Sequence, residues 1–582
     1  MRCRINGLYL LITVLLHIFV FQVSAEENDF TLHIHVHYPQ KENQWQVIYQ
    51  LPIAVDHVAF SRNSNFDRRD LYQIDPAKFV WDKAGDVLLI KSIDGSKFTS
   101  LELSFNSYYD FIQKDYTHNI KYTDGSSLLY TNHLALGANI IDDTAISPIG
   151  ASFAGTQFHF YAPGQNIVFL GQHYKDHAQW TLENEGTYIY FGTIAPIETA
   201  NMLAIVDPKL PPWVWAHTQQ YFPKLFNFYQ EKTGQALNFK PVVFFNFDQL
   251  SGDYANYSGG TLDGLVQLTI NGKRWSEENE EQFNTLFFFL AHEAAHFWNG
   301  QMFSFAEQNH AWLHEGGADA FANLAMLEFG LINHPQMLQQ FEEAANSCVL
   351  NKGAESLEQS ASLWRYRNYY NCGAAMALAS HVAIQTTAPE KSVFDVWKAI
   401  FKSNATSRTY NQQDYFNQLT LLTGSDNLSE AFARFSHDTD LDNQAELASW
   451  FQQTAIAVSL SEASLLEDHP TAITQHWGQQ VIASLMRMHC KSISFSKADD
   501  HVKTYPIPSC KAFEKNMEIQ YVDDFDIHKQ GIAAYQLFHE TCTNGGKVVL
   551  KNKNKQSEAE IACITVPPKI SPYIRLATKA AG

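Results

Sequence analysis

The chain has 582 residues, of which 45% are hydrophobic and 14% aromatic, and it carries a formal net charge of −20. This composition is typical of a folded globular protein and excludes an intrinsically disordered one. The length exceeds what one hydrophobic core usually supports, so several domains are expected. The negative charge argues against electrostatic binding of nucleic acid, and we expect no nucleic-acid partner.

The first 25 residues have the pattern of a signal peptide. Two arginines in MRCR precede the apolar stretch LYLLITVLLHIFVF, and VSA before Glu26 suits cleavage after Ala25. An uncleaved membrane anchor is the alternative, but the apolar stretch is short for a span. We therefore expect a secreted or periplasmic protein with no stable membrane span after cleavage.

Residues 26–206 alternate apolar and polar positions in short runs such as FTLHIHVHY and GTYIYFGTI, separated by turn residues. This pattern predicts an all-β domain. His33, His35 and His37 alternate along one predicted strand, but three histidines on a single strand more often form a solvated face than a metal site. We do not assign them to the functional site.

The motif DPKLPPW at 207–213 marks the predicted start of a second domain, which extends to residue 470. Within it PVVFFNF predicts a buried strand, and GGTLDGLVQLTING predicts a glycine-opened strand or hairpin. The segment SEENEEQFNTLFFFLAHEAAHFWNG predicts a helix with a serine cap and an Asn-Gly stop, and further helices follow. Residues 476–582 return to mixed strand and helix and predict a third, smaller domain. The predicted fold class is therefore multidomain α+β.

Six cysteines follow residue 25 and form three pairs of sequence neighbours: Cys348 and Cys372, Cys490 and Cys510, and Cys542 and Cys563. An oxidising compartment would let them form disulfides. Many connectivities are compatible with six cysteines, so the sequence leaves the pairing open.

The predicted helix over FFFLAHEAAHFWNG places His292, Glu293 and His296 inside an apolar run. The two histidines are four residues apart, so both imidazoles project from one helix face, with Glu293 on the same arc. This HExxH pattern is typical of two zinc ligands and a carboxylate that acts on the attacking water. The pattern alone is weak, because it also occurs by chance as a buried polar patch.

A second predicted helix, over AWLHEGGADAFANLAMLEFG, carries Glu315 nineteen positions after His296 and Asp319 one turn further. Glu315 would complete a His2Glu site for one zinc ion and leave the fourth position open, as catalytic zinc requires. Asp319 is predicted to hold a ligand imidazole in the required tautomer; an ordinary helix carboxylate is the alternative. His310 and His314 are competing candidates for a ligand, but neither has the helical phase of Glu315.

These motifs, in the contexts HFWNG and WLHEGGADAFA, resemble the gluzincin metallopeptidases. The resemblance is strongest to the aminopeptidase-N and leukotriene-hydrolase family, with the glycyl-aminopeptidase family second, and it covers roughly 206–440. It implies a thermolysin-like, mainly helical zinc domain that hydrolyses peptide bonds. His292, His296 and Glu315 match the zinc ligands, and Glu293 matches the general base.

A tyrosine is also carried over from the resemblance. Family members place a transition-state tyrosine in a YxKG-like motif beyond the third ligand, and the local text here is YRNYYNCGAAMALASHVAI. Tyr370 matches this tyrosine, while Cys372 replaces the usual lysine, and Tyr369 is the fallback. A phenol at this position would donate a hydrogen bond to the oxyanion at the scissile carbonyl.

One strand departs from the family pattern. Aminopeptidases of the family carry a GxMEN strand whose glutamate binds the free amino group of the substrate, and YSGGTLDGLVQL aligns with it. Gly259 and Gly260 are candidate backbone contacts for a peptide, but Thr261 stands where the glutamate is expected. The resemblance implies a peptide or protein substrate and leaves exopeptidase specificity open.

The segment from IQYVDD to EIAC looks like the later half of a PDZ domain, with a strand, a turn, a helix and a hairpin. The glycyl-aminopeptidase family also ends in a PDZ domain, which implies a C-terminal domain able to bind a partner. Two alternatives stay open. One is a catalytically altered or inactive peptidase-like protein that binds partners through this domain, and the other is a hydrolase of a non-peptide bond.

Overall fold

The computed structural model describes residues 31–39, 44–61, 68–85, 87–106, 116–137, 155–182, 186–200, 202–248, 252, 254–363, 365–461, 471–497, 500–507, 510–570 and 572–579. The predicted signal peptide, residues 1–25, lies outside these ranges. No helix within them combines the length and apolar character needed to cross a bilayer. The chain divides into two compact units.

The first unit is the β-rich N-terminal region, built from the described parts of Met1–Ile120, Ser127–Ile167 and Tyr174–Gly192. Its elements are short, as the closely spaced turn residues predict. They are β1 (His33–His37), β2 (Gln44–Val55), β3 (His57–Phe60), α1 (Arg68–Leu71), β4 (Tyr72–Ile74), β5 (Phe79–Ala84), β6 (Val87–Ser92), β7 (Phe98–Asn106), β8 (Asn119–Lys121), β9 (Ser127–Tyr130), β10 (Leu136–Gly137), β11 (Gln157–Phe169), β12 (Gln172–Thr181) and β13 (Tyr188–Gly192).

These strands form two sheets. A nine-stranded sheet has the order β4-β7-β2-β1-β11-β13-β9-β8, with β12 paired to β11, and a four-stranded sheet has the order β10-β3-β6-β5. In β1, Ile34 and Val36 are fully buried, while His33, His35 and His37 on the opposite face are partly exposed. The alternation seen in FTLHIHVHY is therefore the alternation of a strand with one covered face.

The second unit begins with a sheet and continues mainly with helices. The first ten elements are β14 (Ile197–Glu198), β15 (Leu203–Val206), α2 (Pro212–Thr233), β16 (Val242–Asp248), β17 (Asn256–Leu262), β18 (Leu265–Asn271), α3 (Glu280–His296), β19 (Ser304–Phe305), α4 (Trp312–Glu328) and α5 (His334–Lys352). The next seven are α6 (Arg367–Thr387), α7 (Val393–Ser403), β20 (Thr409–Tyr410), α8 (Gln412–Thr423), α9 (Asn427–His437), α10 (Asn443–Ser449) and β21 (Ile456–Ser461).

A five-stranded sheet supports one side of this helical region. Its order is β14-β15-β16-β18-β17, with β15, β16 and β18 parallel and β17 antiparallel at the edge. The predicted strand PVVFFNF is β16, whose first five residues are buried. The predicted hairpin is β17 with β18. Because β14 and β15 precede residue 207, the sheet starts earlier in the chain than the predicted domain boundary. The boundary itself stays a prediction.

The helix α3 differs at both ends from the sequence prediction. Ser276 lies in a 3-10 turn, and Asn279 caps the helix instead, accepting a hydrogen bond from a backbone amide of the first turn at 2.9 Å. The prediction chose the wrong cap because Ser and Asn are equally good N-cap residues. After His296 the chain continues as a π-helix over Phe297–Met302 rather than stopping where predicted. Such π-turns are frequent at functional sites.

The remaining part of the second unit has a hydrophobic cluster of its own. Its elements are α11 (Thr471–Cys490), β22 (Phe495–Lys497), β23 (Val502–Thr504), β24 (Met517–Ile519), β25 (Tyr521–Val522), β26 (Phe525–Asp526), α12 (Gly531–Thr543), β27 (Lys547–Lys551), β28 (Ser557–Ala562) and β29 (Tyr573–Thr578). All three neighbour pairs of cysteines are disulfide-bonded, namely Cys348–Cys372, Cys490–Cys510 and Cys542–Cys563.

The strand β29 returns from this part of the unit to the helical region. It pairs antiparallel with β21 and packs against α5. Glu342 of α5 is 6% exposed and accepts hydrogen bonds from Tyr573 Oη at 2.9 Å, Arg575 Nη1 at 3.1 Å and Leu576 N at 2.8 Å. A buried carboxylate without such donors would be strongly destabilising, so this contact makes β29 part of the helical region.

Candidate metal centre

The helices α3 and α4 bring three polar side chains to one point. The Nε2 atoms of His292 and His296 lie 3.1 Å apart. Glu315 Oε2 lies 3.3 Å from His292 Nε2 and 3.4 Å from His296 Nε2. Among the described residues, this is the one group of three histidine, cysteine or acidic side chains whose ligand atoms all lie within 4.8 Å of each other.

These separations fit a zinc ion. Zinc bonds to nitrogen and oxygen measure about 2.0–2.2 Å, so neighbouring ligand atoms of a tetrahedron lie about 3.3–3.6 Å apart. The three separations between 3.1 and 3.4 Å come close to this range. In addition, Glu315 Oε2 is buried and makes no well-formed hydrogen bond with a described residue. A buried carboxylate oxygen of this kind needs a positive partner, which a cation would supply.

Two groups behind the imidazoles fix their orientation. His292 Nδ1 donates to Asp319 Oδ1 at 2.7 Å, and His296 Nδ1 donates to Asn299 Oδ1 at 3.0 Å. Each hydrogen bond holds the ring proton on Nδ1 and leaves the Nε2 lone pair for a metal. Asn299 lies in the π-turn and was not predicted as a site residue; its only signal in the sequence is the spacing of three residues from His296.

The charges of the site reinforce one another. Burial lowers the pKa of His292, but its hydrogen bond to Asp319 and its contact with Glu315 outweigh burial and hold the pKa well above its ordinary value. Burial raises the pKa of Glu315, but its contacts with His292 and His296 outweigh burial and hold the pKa well below its ordinary value. The carboxylates of Glu315 and Asp319 therefore stabilise a positive charge at this point, and either a proton or a metal cation can supply that charge.

The two competing histidines lie outside the ligand group. His314 Nδ1 donates to Asn299 O at 2.9 Å, and its ring stacks on His296 with centroids 4.1 Å apart. Burial, followed by the neighbouring His296, lowers the pKa of His314 to about 3, so this ring is neutral. His310 Nε2 lies 3.8 Å from a carboxylate oxygen of Glu358.

A close crossing of α4 and α6 brings Tyr370 to the site. A Cβ atom added to Gly316 would lie 2.1 Å from Gly373 C, and one added to Gly373 would lie 2.1 Å from Trp312 O. Only glycine allows two backbones to approach this closely. Gly316 directly follows Glu315 and Gly373 is three residues after Tyr370, so the crossing sets the distance between these two functional candidates.

Of the two adjacent tyrosines, Tyr370 is the one beside the ligand group. Its ring stacks on His292 with centroids 5.6 Å apart. Burial, followed by the negative charge of Glu315, raises the pKa of Tyr370 well above its ordinary value, so the phenol keeps its proton. The hydroxyl of Tyr369 instead accepts a hydrogen bond from Ala361 N at 3.3 Å.

The strand β17 contacts Glu293. Thr261 Oγ1 lies 2.7 Å from Glu293 Oε2 and 2.9 Å from Glu293 O, and the hydroxyl donates to one of them at a time. Gly259 and Gly260 precede it on this edge strand, and a Cβ atom on Gly259 would lie 2.1 Å from Gln267 O. An edge strand offers backbone groups with which an extended chain can pair.

Comparison with known proteins finds solved structures with a similar fold but no protein with a similar sequence. No protein-family model matches the chain, and no curated protein matches it. An aminopeptidase N family protein from Idiomarina loihiensis is 11% identical with a TM-score of 0.58, and the match covers 94% of this chain and 98% of that one. The resemblance to the aminopeptidase-N family is thus confirmed as a likeness of fold, with a β-rich N-terminal region and a helical middle domain.

Two other solved structures were found at lower TM-scores. One is a two-domain M1 zinc metallopeptidase, 11% identical with a TM-score of 0.42, covering 71% of this chain and 94% of that one. The other is the native yeast LTA4 hydrolase, 11% identical with a TM-score of 0.43, covering 91% of this chain and 79% of that one.

Proposed function

We propose that this protein is a zinc-dependent metallopeptidase that hydrolyses peptide bonds in peptide or protein substrates. The observation that carries the proposal is the group formed by His292, His296 and Glu315, whose ligand atoms lie 3.1–3.4 Å apart. These three residues would hold one zinc ion. When bound, zinc polarises the scissile carbonyl and lowers the pKa of water.

Glu293 is the general base of the proposed reaction. Its carboxylate takes a proton from the attacking water and returns it to the leaving amine nitrogen. Its place between the two histidines supports this role, as does the Thr261 hydroxyl 2.7 Å from Oε2. When that hydroxyl donates to Oε2, the other carboxylate oxygen is left to handle the proton.

Tyr370 stabilises the negative charge that develops on the carbonyl oxygen. A donor aimed at that oxygen acts only when the charge forms, and so it lowers the barrier. The stacking of the Tyr370 ring on His292, with centroids 5.6 Å apart, supports this role, since it places the phenol beside the ligand group. Asp319 supports catalysis indirectly, because it keeps the Nε2 atom of His292 directed at the metal position.

Gly259 and Gly260 are the proposed backbone contacts of the substrate, because they lie on the edge strand that carries Thr261. Thr261 has no negative charge to hold a free α-ammonium group. We therefore propose that binding at this strand uses the substrate backbone rather than a free amino terminus.

The function is tested by assaying the zinc-loaded protein on peptide libraries with free and with blocked N-termini. The expected result is hydrolysis of both sets, with Glu293→Gln losing about 10²–10⁴-fold in kcat while keeping its zinc. Cleavage of free N-termini alone would assign an aminopeptidase. A zinc-loaded protein that hydrolyses neither set, or a Glu293→Gln variant with full turnover, would overturn the proposal.

We further propose that the protein is secreted or periplasmic and that its C-terminal domain is PDZ-like and binds a partner. The three disulfides support an oxidising compartment. The order β25, β26, α12, β27 and β28 supports a PDZ-like arrangement. Fractionation of the producing cells tests the first proposal, and a pull-down with the isolated full-length protein against its β28-deleted form tests the second.

A further inference from the structure

A cavity of about 1120 Å³ opens beside the ligand group, between α3, α4, α5 and α6. Three of its wall residues connect it to the site. Phe288 precedes His292 by one helical turn, Asn371 directly follows Tyr370, and Asp319 bonds His292 Nδ1 at 2.7 Å. Because Asp319 lines the cavity and accepts a hydrogen bond from His292, the inner end of the cavity reaches the ligand group.

The cavity follows α3 towards its N-terminus. Its wall includes Glu280 and Glu281, which precede His292 by twelve and eleven residues. At 1.5 Å per residue this corresponds to roughly 17–18 Å along the helix. An extended peptide advances about 3.3 Å per residue, so this length accommodates roughly five residues of a substrate.

The wall of the cavity is negatively charged and rich in acceptors. Its carboxylates are Glu280, Glu281, Asp319 and Glu343, and no lysine, arginine or histidine lies among the described residues that line it. Asp319 is already bonded to His292, and Glu343 is partly buried with one oxygen 3.3 Å from a glutamine amide. The negative charge of the wall therefore has no cationic side chain to balance it within the cavity.

Two asparagines in the wall add acceptors that no described residue satisfies. Asn284 Nδ2 donates to Leu331 O at 2.9 Å, and Asn323 Nδ2 donates to Asp319 O at 3.0 Å, which fixes the orientation of both amides. The Oδ1 atom of each is buried without a hydrogen-bond partner among the described residues, and Asn323 is only 3% exposed. A buried acceptor without a donor is unfavourable, so these amides point to a ligand that donates hydrogen bonds.

A metal ion does not match this cavity. The carboxylates of the wall do not converge, because the one metal-sized group found in the described parts of the chain is that of His292, His296 and Glu315. The volume of about 1120 Å³ is also far larger than a single ion needs and slightly exceeds the range of about 300–1,000 Å³ that is typical of pockets for organic ligands. Acceptors that are spread along a cavity fit an organic ligand with several N–H donors better than they fit a single metal ion.

We propose that this cavity binds the cationic side chains of the substrate, so that the enzyme prefers peptide bonds flanked by lysine or arginine. The inference rests on the proposed peptidase function and names its substrate class. A guanidinium or ammonium group would balance Glu343 and supply donors to the free amide oxygens. Substrates with acidic residues at the same positions are rejected by the like charge of the wall.

The test uses two matched variants. Glu343→Gln removes a charge of the wall while keeping its shape, and Glu328→Gln removes a charge from the exposed end of α4, outside the cavity. The measurement is the ratio of kcat/KM for an arginine-containing peptide to that for its alanine counterpart. We expect a ratio above one in the wild type, a fall of about fivefold or more in Glu343→Gln, and the wild-type ratio in Glu328→Gln.

A binding measurement separates this inference from the peptidase proposal. The zinc-loaded Glu293→Gln protein is titrated with fluorescent arginine and alanine peptides, and we expect tighter binding of the arginine peptide that weakens with added salt. Tighter binding without any hydrolysis by the wild type would uphold the cavity and overturn the peptidase. Equal binding of both peptides, or an unchanged kcat/KM ratio in Glu343→Gln, would overturn the cavity whatever the activity.

Discussion

Two regions of the molecule hold pairs of imidazoles at the same separation. In the N-terminal sheet, His33 Nδ1 and His159 Nε2 lie 3.1 Å apart, and in the helical region the Nε2 atoms of His292 and His296 also lie 3.1 Å apart. In the parts of the chain that the structure describes, only the second pair has a carboxylate close enough to complete a metal site. A short distance between histidines is therefore not sufficient for a metal centre.

The difference lies in what stands behind each ring. His159 lies opposite His35 in the register of β1 and β11 and stacks on that ring with centroids 4.6 Å apart, while its Nε2 atom is engaged by the hydrogen bond with His33 Nδ1. On α3, each imidazole is held by an acceptor behind it and faces the carboxylate of Glu315 from α4. Outer hydrogen bonds of this kind orient neighbouring histidines so that their free nitrogens can bind a metal.

The largest expected difference between the two histidine pairs is the loss of zinc when one histidine is removed. His296→Ala removes a ligand, so we expect zinc content to fall from about one ion per chain to near zero and hydrolysis to be lost with it. His159→Ala in the sheet serves as the control and should keep both. Zinc is measured by elemental analysis after dialysis. Equal zinc loss in both variants would contradict the conclusion that the helical pair of histidines binds zinc and the pair in the sheet does not.

The next effect concerns the oxyanion. Tyr370→Phe removes the donor without changing ring packing on His292, so kcat should fall about 10²–10³-fold with little change in KM. Tyr369→Phe is the matched control, because its hydroxyl bonds Ala361 N away from the site. Steady-state kinetics on one peptide distinguish the two. A larger fall of kcat in Tyr369→Phe than in Tyr370→Phe would assign the oxyanion donor to Tyr369 instead.

The third prediction concerns Asn299 and Asp319, the two groups behind the imidazoles. Asn299→Ala and Asp319→Ala each free a ligand ring to rotate, so zinc affinity should weaken about 10–100-fold. Competition with a chelator of known affinity measures the change. An unchanged affinity would mean that packing alone holds the two rings in place.

A smaller effect is expected from Thr261, the threonine beside the proposed general base Glu293. Thr261→Ala frees the Glu293 carboxylate to change rotamer, and we expect kcat to fall about tenfold. Thr261→Ser keeps the hydroxyl and should restore most of the rate. If the alanine and serine variants behave alike, the hydrogen bond of 2.7 Å has no part in turnover.

The smallest effect belongs to the histidine face of the sheet. Burial, followed by the charges of His35 and His33, lowers the pKa of His159 below its ordinary value. The unfolded chain therefore binds the proton more tightly than the folded one, and stability falls as the pH drops below about 6.5. His159→Asn should flatten this decline in Tm slightly. A decline that becomes steeper would contradict the sign of the shift.

Part of this site could be predicted from the sequence. The four-residue spacing of His292 and His296 fixes their common helix face, and the apolar run around them identifies the helix as buried. The approach of Glu315 was predictable only through its own helical phase and the family resemblance. The strands β16, β17 and β18 also followed from their apolar runs and glycines.

Other features depend on contacts that sequence patterns do not encode. The crossing at Gly316 and Gly373 joins residues fifty-seven positions apart, and two ordinary helix glycines give no sign of it. Asn299 read as a helix stop because Asn-Gly pairs commonly end helices, whereas tertiary packing continues the chain as a π-turn. The cap at Asn279 was missed because local propensity does not separate two good caps.

The contact between Glu342 and β29 has a consequence for biosynthesis. The carboxylate emerges from the ribosome 231 residues before the tyrosine that binds it. Until then the nascent helical region carries an acidic group within an apolar surface that awaits its covering strand, which favours holding by chaperones over early native packing.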